Sequence, residues 1–480
     1  MDKRKLVRLE DYLWEIPMDY RKNMLVPGRI FALEPLLDAV SGDRSLDQLV
    51  NVATLPGIQT ASMVMPDAHE GYGFPIGGVA ATRHPDGVIS PGGIGYDINC
   101  GVRLLVSDLY YKDHVDRMES LSQELYRQIP SGVGKGGTVY LNKKEMDTVL
   151  TRGAEWAVKN GMGTERDLLH TESYGKLHEA DAKYVSERAK QRGRDQLGTI
   201  GAGNHFVEVD VVEEIFHPEA AKAFGLEPGL LVILIHTGSR GLGHQVATDY
   251  IRLMMDVMPQ YGYKPPDREL ACVPFNSTEG QHYFKAMCAA ANFAWCNRQV
   301  ITWEARKAWR EVFGKSAKEP KLLYDIAHNI AKVEEYEIDG KLQKVTVHRK
   351  GATRAFGPGY HELPESFRDI GQPVMIPGSM GTESYVLVGT LKSKELSFGS
   401  TCHGAGRKMS RRAAKREVNA PGLQRSLKEQ GIHVIAGSFK GIAEEAPIAY
   451  KDVNMVVETV DRAGIALKVA RLKPKAVIKG

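Results

Sequence analysis

The chain has 480 residues, and its 63 Lys and Arg against 59 Asp and Glu give a formal net charge of +4. This near balance excludes a polybasic scaffold and a protein built around an acidic tail. Hydrophobic residues make up 42% and charged residues 25%, which is typical of a globular protein with a large core and excludes disorder as the main state.

The N-terminus predicts no targeting segment. Its first residues, MDKRKLVRLEDYLWEI, place charges every few positions and lack the apolar centre of a signal peptide. No apolar run approaches the ~20 residues that a membrane span needs. The five cysteines form no C-x-x-C pair, which argues against a disulfide framework and a zinc ribbon. We therefore expect a cytoplasmic protein with no membrane segment.

Helical periodicity appears in six stretches along the chain. Residues 67–101, which precede them, have too many glycines for helices or long strands and predict loops around a site. The stretch 281–313 is rich in Ala, Met and Trp and predicts a long core helix, broken at most once. The remaining helices are predicted at 114–128, 143–159, 179–192, 406–416 and 452–470.

Strand patterns lie between these helices. Residues 204–211 alternate and predict a half-exposed strand, whereas 230–236 are continuously apolar and predict a buried one. Residues 334–349 predict a hairpin with Asp339-Gly340 at its turn, and further strands are predicted at 372–377 and 384–390. Strict alternation puts His205 on the face opposite Asn204 and Glu208, unless the strand starts later or a turn at Asn204 redirects the imidazole.

A set of possible metal ligands is spread along the sequence. Asp97 and Cys100 share the loop GGIGYDINCG, while His205, His236 and His328 stand in GAGNHF, LLVILIH and DIAHNI. If the five side chains converge, they supply enough ligands for two metals with a bridging thiolate, a common arrangement for phosphate chemistry. Ligand type alone leaves the metal open. The alternative is a buried cysteine beside a turn aspartate, with histidines satisfied in the core.

A second candidate site is the segment CHGAGR, which contains His403, Gly404, Ala405 and Gly406. Small residues before the helix predicted at 406–416 would let backbone N–H groups approach a phosphate, and the helix dipole favours an anion. His403 could then act as a general acid or attack phosphorus directly. The alternative is a histidine at a helix start without chemistry.

Basic residues follow this segment and predict a local surface for a polyanion; a merely solvated helix face is the alternative. They are Arg407, Lys408, Arg411, Arg412, Lys415 and Arg416, and the patch is expected to extend to Arg192, Arg194, Arg349, Lys350 and Arg354. The sequence contains no P-loop, no H-E-x-x-H helix and no K-x-D-G motif, so nucleotidyl transfer would need a nucleophile other than lysine.

Taken in order, these blocks resemble one family. PDAHEGYGFPIGG, GGIGYDINCG, GAGNHF, HTGSRGLG, AHN, HRKGATRA, PGSMGT and CHGAGR span residues 67–407, and the pair Lys479-Gly480 also matches. The chain is similar to the RtcB tRNA-splicing ligases. The resemblance implies an enzyme that joins RNA 2′,3′-cyclic phosphate or 3′-phosphate ends to 5′-hydroxyl ends, using GTP and manganese.

The resemblance also implies roles for particular residues. His403 would become guanylylated and pass GMP to the RNA 3′-phosphate before the 5′-hydroxyl displaces it. One metal ion would take Asp97, Cys100 and His205, and a second would take Cys100, His236 and His328, so Cys100 bridges. Asp67 would order the metal site.

The guanine nucleotide would contact residues of the glycine-flanked segments: Asn204, His205, Glu208, His328, Asn329, Pro377, Gly378, Ser379, Met380, Ser384, His403, Gly404, Ala405, Gly406 and Lys479. RNA phosphates would contact Arg192, Arg240, Lys350 and Arg411. The family also implies tRNA halves as substrates and an archease-type activator as a partner.

Because these positions lie far apart in sequence, the whole chain must surround one cleft. We therefore expect an α+β fold in a single domain over 1–480, with packed mixed β-sheets flanked by helices around a central metal cleft, although length alone suggests about three domains. Two other functions stay open: a metal-dependent phosphoesterase that only hydrolyses cyclic phosphate ends, and an RNA-binding scaffold without turnover.

Overall fold

The computed structural model describes residues 5–132 and 134–480. It has the predicted α+β class, with large mixed sheets packed together and flanked by helices. The side chains that could bind metal lie in a cleft at its centre. The single-domain span of 1–480 stays a prediction.

The strands contain most of the chain that surrounds the cleft. In chain order they are β1 (Val7–Glu10), β2 (Leu13–Ile16), β3 (Gly28–Phe31), β4 (Ser62–His69), β5 (Ile76–Arg83), β6 (Val88–Ile89), β7 (Gly101–Tyr110), β8 (Phe206–Ile215), β9 (Leu230–Thr237), β10 (Val273–Pro274), β11 (Lys321–Ala327), β12 (Asn329–Ile338), β13 (Lys341–Lys350), β14 (Ala352–Arg354), β15 (Pro373–Ile376), β16 (Ser384–Gly389), β17 (Ser400–Cys402), β18 (His433–Ala436) and β19 (Ala466–Lys479).

The helices cover the sheets and connect their edges. They are α1 (Glu34–Ser41), α2 (Ser45–Val52), α3 (Met118–Gln128), α4 (Lys143–Arg152), α5 (Ala154–Lys159), α6 (Glu165–Leu169), α7 (Glu187–Gly193), α8 (Pro218–Phe224), α9 (Arg240–Val257), α10 (Thr278–Phe313), α11 (Glu365–Arg368), α12 (Leu391–Ser397), α13 (Arg411–Glu417), α14 (Ala420–Glu429), α15 (Phe439–Glu444) and α16 (Val453–Ala463).

Two large sheets form the framework. The first has the order β1-β2-β3-β4-β5-β13-β12, and the second has the order β11-β7-β9-β8-β19-β16-β15, with β18 added parallel to β19. Most neighbours are antiparallel; β3 and β4 form a parallel pair. Short two-stranded pairings join β6 to β10 and β14 to β17. Both sheets are therefore mixed, as expected.

Several sequence predictions are confirmed. Strand β9 is buried along its whole length, and β12 and β13 form a hairpin that turns at Asp339-Gly340. The long core helix is α10, which is unbroken over 36 residues and buries Trp295 and Trp309 completely. The Ser277 hydroxyl caps its first turn by accepting from the backbone N–H of Gly280 at 3.1 Å.

Other element predictions were wrong or too long. The loop-only prediction for 67–101 was wrong, because β5 and β6 lie inside it and β4 extends into it. The predicted helix 143–159 breaks at Gly153, which has φ +57° and lies against the Gly175 carbonyl, where a Cβ would collide. The predicted helix 179–192 is divided into a 3₁₀ turn at Ala182–Tyr184 and α7. The prediction at 114–128 is confirmed, because a 3₁₀ turn at Val115–Arg117 leads directly into α3.

The helix predicted at 452–470 is present and starts as expected, but it ends early for a local reason. Helix α16 ends at Ala463 because Gly464 adopts a left-handed C-cap, and the remaining residues form β19. Strand β8 was expected to be half-exposed, but its first five residues are buried, because the strand lies between β9 and β19 and its side chains pack on both faces of the sheet, Val207 and Val209 in one apolar cluster and Phe206 in another. Pairing partners far away in sequence thus override the local pattern.

In the part of the chain that the structure describes, none of the helices combines the length and the apolarity needed to cross a bilayer.

Candidate metal and nucleotide site

Four neighbouring strand ends bring the possible metal ligands together. Cys100 directly precedes β7, His205 directly precedes β8, His236 lies near the end of β9, and His328 directly follows β11. These strands are antiparallel neighbours in the order β11-β7-β9-β8. Strand starts and strand ends therefore alternate across these four strands, and all four positions lie at the same end of the second sheet, where the strands begin or finish.

The side chains meet around the Cys100 thiol. Its Sγ lies 3.4 Å from His205 Nε2 and 3.3 Å from His236 Nε2, and His236 Nε2 lies 3.3 Å from His328 Nε2. Asp97 Oδ2 is 2.8 Å from His205 Nε2. The ligand atoms form two groups of three, Asp97 with Cys100 and His205, and Cys100 with His236 and His328, each within 4.8 Å. Cys100 belongs to both groups.

His205 belongs to this cluster because β8 starts one residue after it. The alternating pattern would have pointed its ring away from Glu208, but β8 begins at Phe206, so His205 stands in the preceding turn. Its Nδ1 faces the Ile200 carbonyl at 3.0 Å, which directs Nε2 toward Cys100. Both explanations offered by the sequence therefore hold: the strand starts later, and a turn at Asn204 precedes His205.

Burial determines the protonation of this cluster in the absence of a cation. Burial, with nearby cationic groups, holds the pKa of His236 and of His328 well below the ordinary value, so both imidazoles are neutral. Burial and the neighbouring Asp97 carboxylate raise the pKa of the Cys100 thiol well above its ordinary value. Neutral imidazoles are ready to bind a metal ion, and a cation is what would ionise the thiol. A carboxylate, a thiol and three imidazoles suit a transition metal.

The loops carrying these ligands are held from behind by Arg298 of α10. The Arg298 guanidinium donates to the carbonyls of Asn99 at 2.7 Å and Thr237 at 2.9 Å, and to Asn99 Oδ1 at 3.1 Å. It also forms two bonds with the Asp325 carboxylate, at 2.7 and 2.9 Å. The side chain of Arg298 and the three residues that it contacts are fully buried. Arg298 thereby fixes the residue before Cys100 and the residue after His236.

Asp97 reaches the cluster because a glycine leaves space for it. The Asp97 Oδ1 accepts from the backbone N–H of Ser239 at 3.0 Å. A Cβ on Gly238 would lie 2.4 Å from that oxygen, which excludes any side chain there. Gly238 therefore leaves the space that the Asp97 carboxylate occupies.

Asp67 and His403 form a second functional unit beside the cluster. The His403 Nδ1 lies 2.5 Å from Asp67 Oδ2, and the same oxygen accepts from the backbone N–H groups of His403 at 2.9 Å and Gly404 at 3.3 Å. The ring of His403 is 4.8 Å from the ring of His328. Burial favours the neutral acid, but the charge and hydrogen bonds of His403 outweigh it and hold the pKa of Asp67 below its ordinary value.

This geometry corrects the prediction of a helix N-terminus at CHGAGR. Helix α13 begins only at Arg411, where Ser410 caps it by accepting from Ala413 N–H, and residues 403–406 form a loop. The backbone N–H groups of His403 and Gly404 donate to Asp67 and are not directed at a phosphate. A Cβ on Gly406, which has φ +73°, would collide with the Asp67 backbone. This glycine keeps the loop against β4.

A cleft of about 780 Å³ opens over both units. Most of the residues that the sequence assigned to the nucleotide line it: Asn204, Glu208, His328, Asn329, Pro377, Gly378, Ser379, Met380, His403, Gly404, Ala405, Gly406 and Lys479. His205 lies beneath, in the metal cluster. Ser384 accepts from the Gly378 N–H at 3.0 Å and so supports the 377–380 wall from behind. Their binding roles stay predictions.

Glu208 gives this cleft a buried acidic floor. Its side chain is 3% exposed, and its Oε1 has no hydrogen-bond partner among the described residues. Burial and the nearby Asp210 raise the pKa of Glu208 well above its ordinary value. Lys479 lies near it and donates to the Gly203 carbonyl at 3.4 Å.

The four cations assigned to RNA phosphates occupy different settings. Lys350 and Arg411 line the cleft, whereas Arg192 and Arg240 lie outside its lining. Lys350 Nζ donates to the Tyr72 carbonyl at 2.6 Å, and burial lowers the pKa of Lys350 to about 7.

The other assigned cations are already engaged. Arg240 Nε donates to the Thr199 hydroxyl at 3.0 Å, and Arg192 donates to Gln245 at 3.0 Å. Arg411 faces Glu445 at 3.3 Å. Each of these side chains is therefore held by a neighbour in the protein.

Two residues expected in the basic patch are core residues instead. Arg349 is fully buried and forms two bonds of 2.8 Å with Glu334, and Arg354 is buried between Glu172 and Glu362 at 3.2 Å from each. The inclusion of Arg349 and Arg354 in the patch was therefore wrong, because carboxylates distant in sequence neutralise them. Arg194 lies over the Tyr140 ring at 4.7 Å, in line with an exposed position.

Sequence reasoning missed the supporting residues. Arg298 lies behind the metal-binding cluster, and Glu445 pairs with the cations Arg407 and Arg411. Lys451 lies behind the Asp67–His403 pair. In the sequence each is an ordinary charged residue, and no motif or spacing marks it as buried. Only the three-dimensional packing identifies them.

The sequence model described as tRNA-splicing ligase RtcB matches residues 48–480. The chain belongs to the RtcB family. The tRNA-splicing ligase RtcB of Thermococcus kodakarensis is 54% identical over 477 residues, 99% of each chain. The proteins of the same name from Archaeoglobus fulgidus and Methanococcus maripaludis are 52% and 50% identical over at least 99% of each chain. The resemblance inferred from eight motifs is thus confirmed.

Proposed function

We propose that this RtcB-family chain is a GTP- and manganese-dependent RNA ligase. It joins RNA 2′,3′-cyclic phosphate or 3′-phosphate ends to 5′-hydroxyl ends through a histidine-GMP intermediate, with tRNA halves or damaged RNA as substrates. The observation that carries this proposal is the Asp67–His403 pair, which stands in one cleft with two groups of metal-binding side chains.

His403 is arranged as a nucleophile. Because its Nδ1–H donates to the Asp67 carboxylate, the lone pair stays on Nε2. Nε2 attacks the α-phosphorus of GTP, the bond from that phosphorus to the bridging oxygen breaks, and pyrophosphate leaves. Asp67 stabilises the positive charge that develops on the ring. The result is GMP attached to His403.

The same cleft then activates the RNA end. A cyclic end is first opened by water, which adds to phosphorus as the bond to the 2′-oxygen breaks and leaves a 2′-hydroxyl and a 3′-phosphate. An oxygen of the RNA 3′-phosphate attacks the GMP phosphorus, and Nε2 of His403 leaves as neutral imidazole. The 5′-hydroxyl of the second RNA then attacks the activated 3′-phosphorus and loses its proton to solvent, while the bond from that phosphorus to the oxygen bridging to GMP breaks and GMP departs. Arg411 and Lys350 line the cleft, which supports their assignment to the RNA phosphates; to bind them, each would exchange its present protein partner for a phosphate oxygen.

The metal ions fit the donors present. Asp97, Cys100 and His205 would hold one ion, and Cys100, His236 and His328 would hold the other. When bound, such a pair neutralises phosphate charge and can activate water or a hydroxyl. The choice of manganese rests on the family resemblance, because these donor types do not select one metal.

Glu208 is the residue that we assign to guanine. Guanine presents two adjacent donors, N1–H and the 2-amino group, whereas adenine has no donor at N1 and none at C2. Ionised Glu208 on the cleft floor, whose Oε1 has no partner among the described residues, is a complementary acceptor, and the two guanine donors would oppose the burial that raises the pKa of Glu208. The adjacent Lys479 offsets its charge.

The test is transfer of label from α-labelled GTP to the purified protein with manganese, beside labelled ATP and His403→Ala. We expect label on the wild type with GTP and none on the variant. His403→Ala is also assayed on an RNA with a cyclic phosphate end. If the wild type, with both metals bound, hydrolyses the cyclic phosphate but takes no label from GTP, the ligase proposal is rejected and the phosphoesterase is favoured. The archease-type activator and the cytoplasmic location stay predictions.

A further inference from the structure

Lys451 is a buried cation that touches both segments carrying the Asp67–His403 pair. Its side chain lies behind β4, and its Nζ donates to the Ala68 carbonyl and to the Pro66 carbonyl at 3.3 Å. Its backbone N–H donates to the Gly406 carbonyl at 2.9 Å. Lys451 is 5% exposed and is not part of the cleft lining. It therefore acts on the pair from behind and does not contact substrate.

Strand β4 needs such a partner because its own pairing is interrupted. The ladder between β4 and β5 shifts between Val64 and His69, and the ladder with β3 ends at Val64. The carbonyls on either side of Asp67 thus lie where the ladder is broken. A buried carbonyl without a donor is unfavourable, and the Lys451 ammonium supplies the donors. The break leaves Asp67 free to accept from the 403–404 segment.

Lys451 also contributes charge to this region. The titratable groups that interact with it are Asp67, Asp43 and His69; the two carboxylates attract it, and burial keeps His69 neutral by lowering its pKa to about 4. His403 lies on the other side of Asp67. Burial lowers the pKa of Lys451 to about 8, although Asp67 and Asp43 oppose the shift. Lys451 is in turn one of the groups that hold the pKa of Asp67 low. The ammonium is present below about pH 8 and is lost above it.

We propose that Lys451 is the positioning residue of the Asp67–His403 pair. Its ammonium holds the broken strand through the carbonyls of Pro66 and Ala68, while its backbone N–H holds Gly406, and its charge keeps Asp67 ionised against His403. This inference rests on the proposed role of His403 as the nucleophile.

The experiment measures single-turnover transfer of label from GTP to His403 between pH 6.5 and 9.5, with saturating GTP and manganese. For the wild type we expect the rate to fall as pH rises through about 8, because Lys451 loses its proton. Lys451→Arg keeps its charge in this range, so its alkaline decline should move out of the range. Lys451→Met should be slower roughly 10- to 100-fold at pH 7 and should lack the decline.

Lys190→Met is the matched control, because Lys190 is a largely buried lysine that pairs with Asp147 at 2.7 Å and has no bond to β4 or the 403–406 loop. It should keep the wild-type profile. A flat wild-type profile, or Lys451→Met with the wild-type rate and profile, would overturn the inference. If Lys451→Met does not fold, the wild-type and Lys451→Arg profiles decide. A wild type that takes no label at any pH rejects the proposed function instead.

Discussion

Replacement of Asp67 by Asn separates the charge of this residue from its shape. In the wild type, one carboxylate oxygen accepts from the ring and the backbone of His403 and from Gly404. Asparagine is nearly isosteric and can keep the two backbone bonds, but it is neutral. In the other amide orientation, the N–H₂ group would face Nδ1 and move the ring proton to Nε2, which blocks the attacking lone pair, but both backbone bonds would then be lost.

The size of the effect follows from the 2.5 Å contact between Asp67 Oδ2 and His403 Nδ1. The ring becomes positive as Nε2 bonds to phosphorus, and in a fully buried setting a preorganised charge at this distance stabilises the transition state by about 3–4 kcal/mol. Since about 1.4 kcal/mol corresponds to tenfold in rate, guanylylation should slow roughly 10²- to 10³-fold. Metal binding should persist, because Asp67 is in neither metal group.

The assay is single-turnover labelling with α-labelled GTP, with metal content and thermal melting measured on the same preparation. Glu70→Gln is the control, because this carboxylate lines the same cleft but forms only an exposed ion pair with Arg44 at 3.6 Å. It should label at the wild-type rate. A rate for Asp67→Asn within threefold of the wild type would refute the role assigned to the carboxylate.

Three further substitutions test the metal and nucleotide assignments. Cys100→Ala removes the ligand common to both groups and should lose both manganese ions in metal analysis after dialysis; two retained ions would contradict the bridging role. Arg298→Met should lower the free energy of unfolding by about 3–5 kcal/mol, because it leaves buried acceptors unpaired. Arg310→Met is the control, because it removes an exposed ion pair on the same helix and should lower that free energy by under about 1 kcal/mol. Equal losses for the two variants in denaturant titrations would contradict the role of Arg298 as a buried anchor. Glu208→Gln should reduce the preference for GTP over ATP roughly 10- to 100-fold in the labelling assay, and an unchanged ratio would remove Glu208 from guanine recognition.

The sequence was most informative where a residue's chemistry is independent of its distant neighbours. Asp97, Cys100 and the three histidines could be proposed as one cluster because few other functions bring those residue types together. The buried strand β9 and the 339–340 hairpin turn could be predicted because their patterns are local. The family resemblance supplied the division into two metal groups, which spacing alone could not.

Predictions failed where tertiary contacts outweigh local pattern. Arg349 and Arg354 have the same appearance in sequence as Lys408 or Arg412. In the fold, however, both are buried: Glu334 of β12 neutralises Arg349, and Glu172 and Glu362 neutralise Arg354. The 403–406 segment has the composition of a phosphate loop before a helix, yet its backbone donors bind Asp67. Lys451 could not be recognised at all, because the interruption of β4 pairing is visible only in the folded sheet.

Strand β19 has a consequence for how the chain is made. It lies in the middle of the second sheet, between β8 and β16, although more than half of the chain separates it from β8. During synthesis β8 therefore presents an open edge until residues 466–479 have left the ribosome, and β15 and β16 have no strand through which to join the sheet. The ends of β7, β8, β9 and β11, which carry the metal-binding residues, can assemble before the side of the cleft that contains Lys479 of β19. We expect nascent chains stalled before β19 to depend on chaperones and to aggregate when these are scarce.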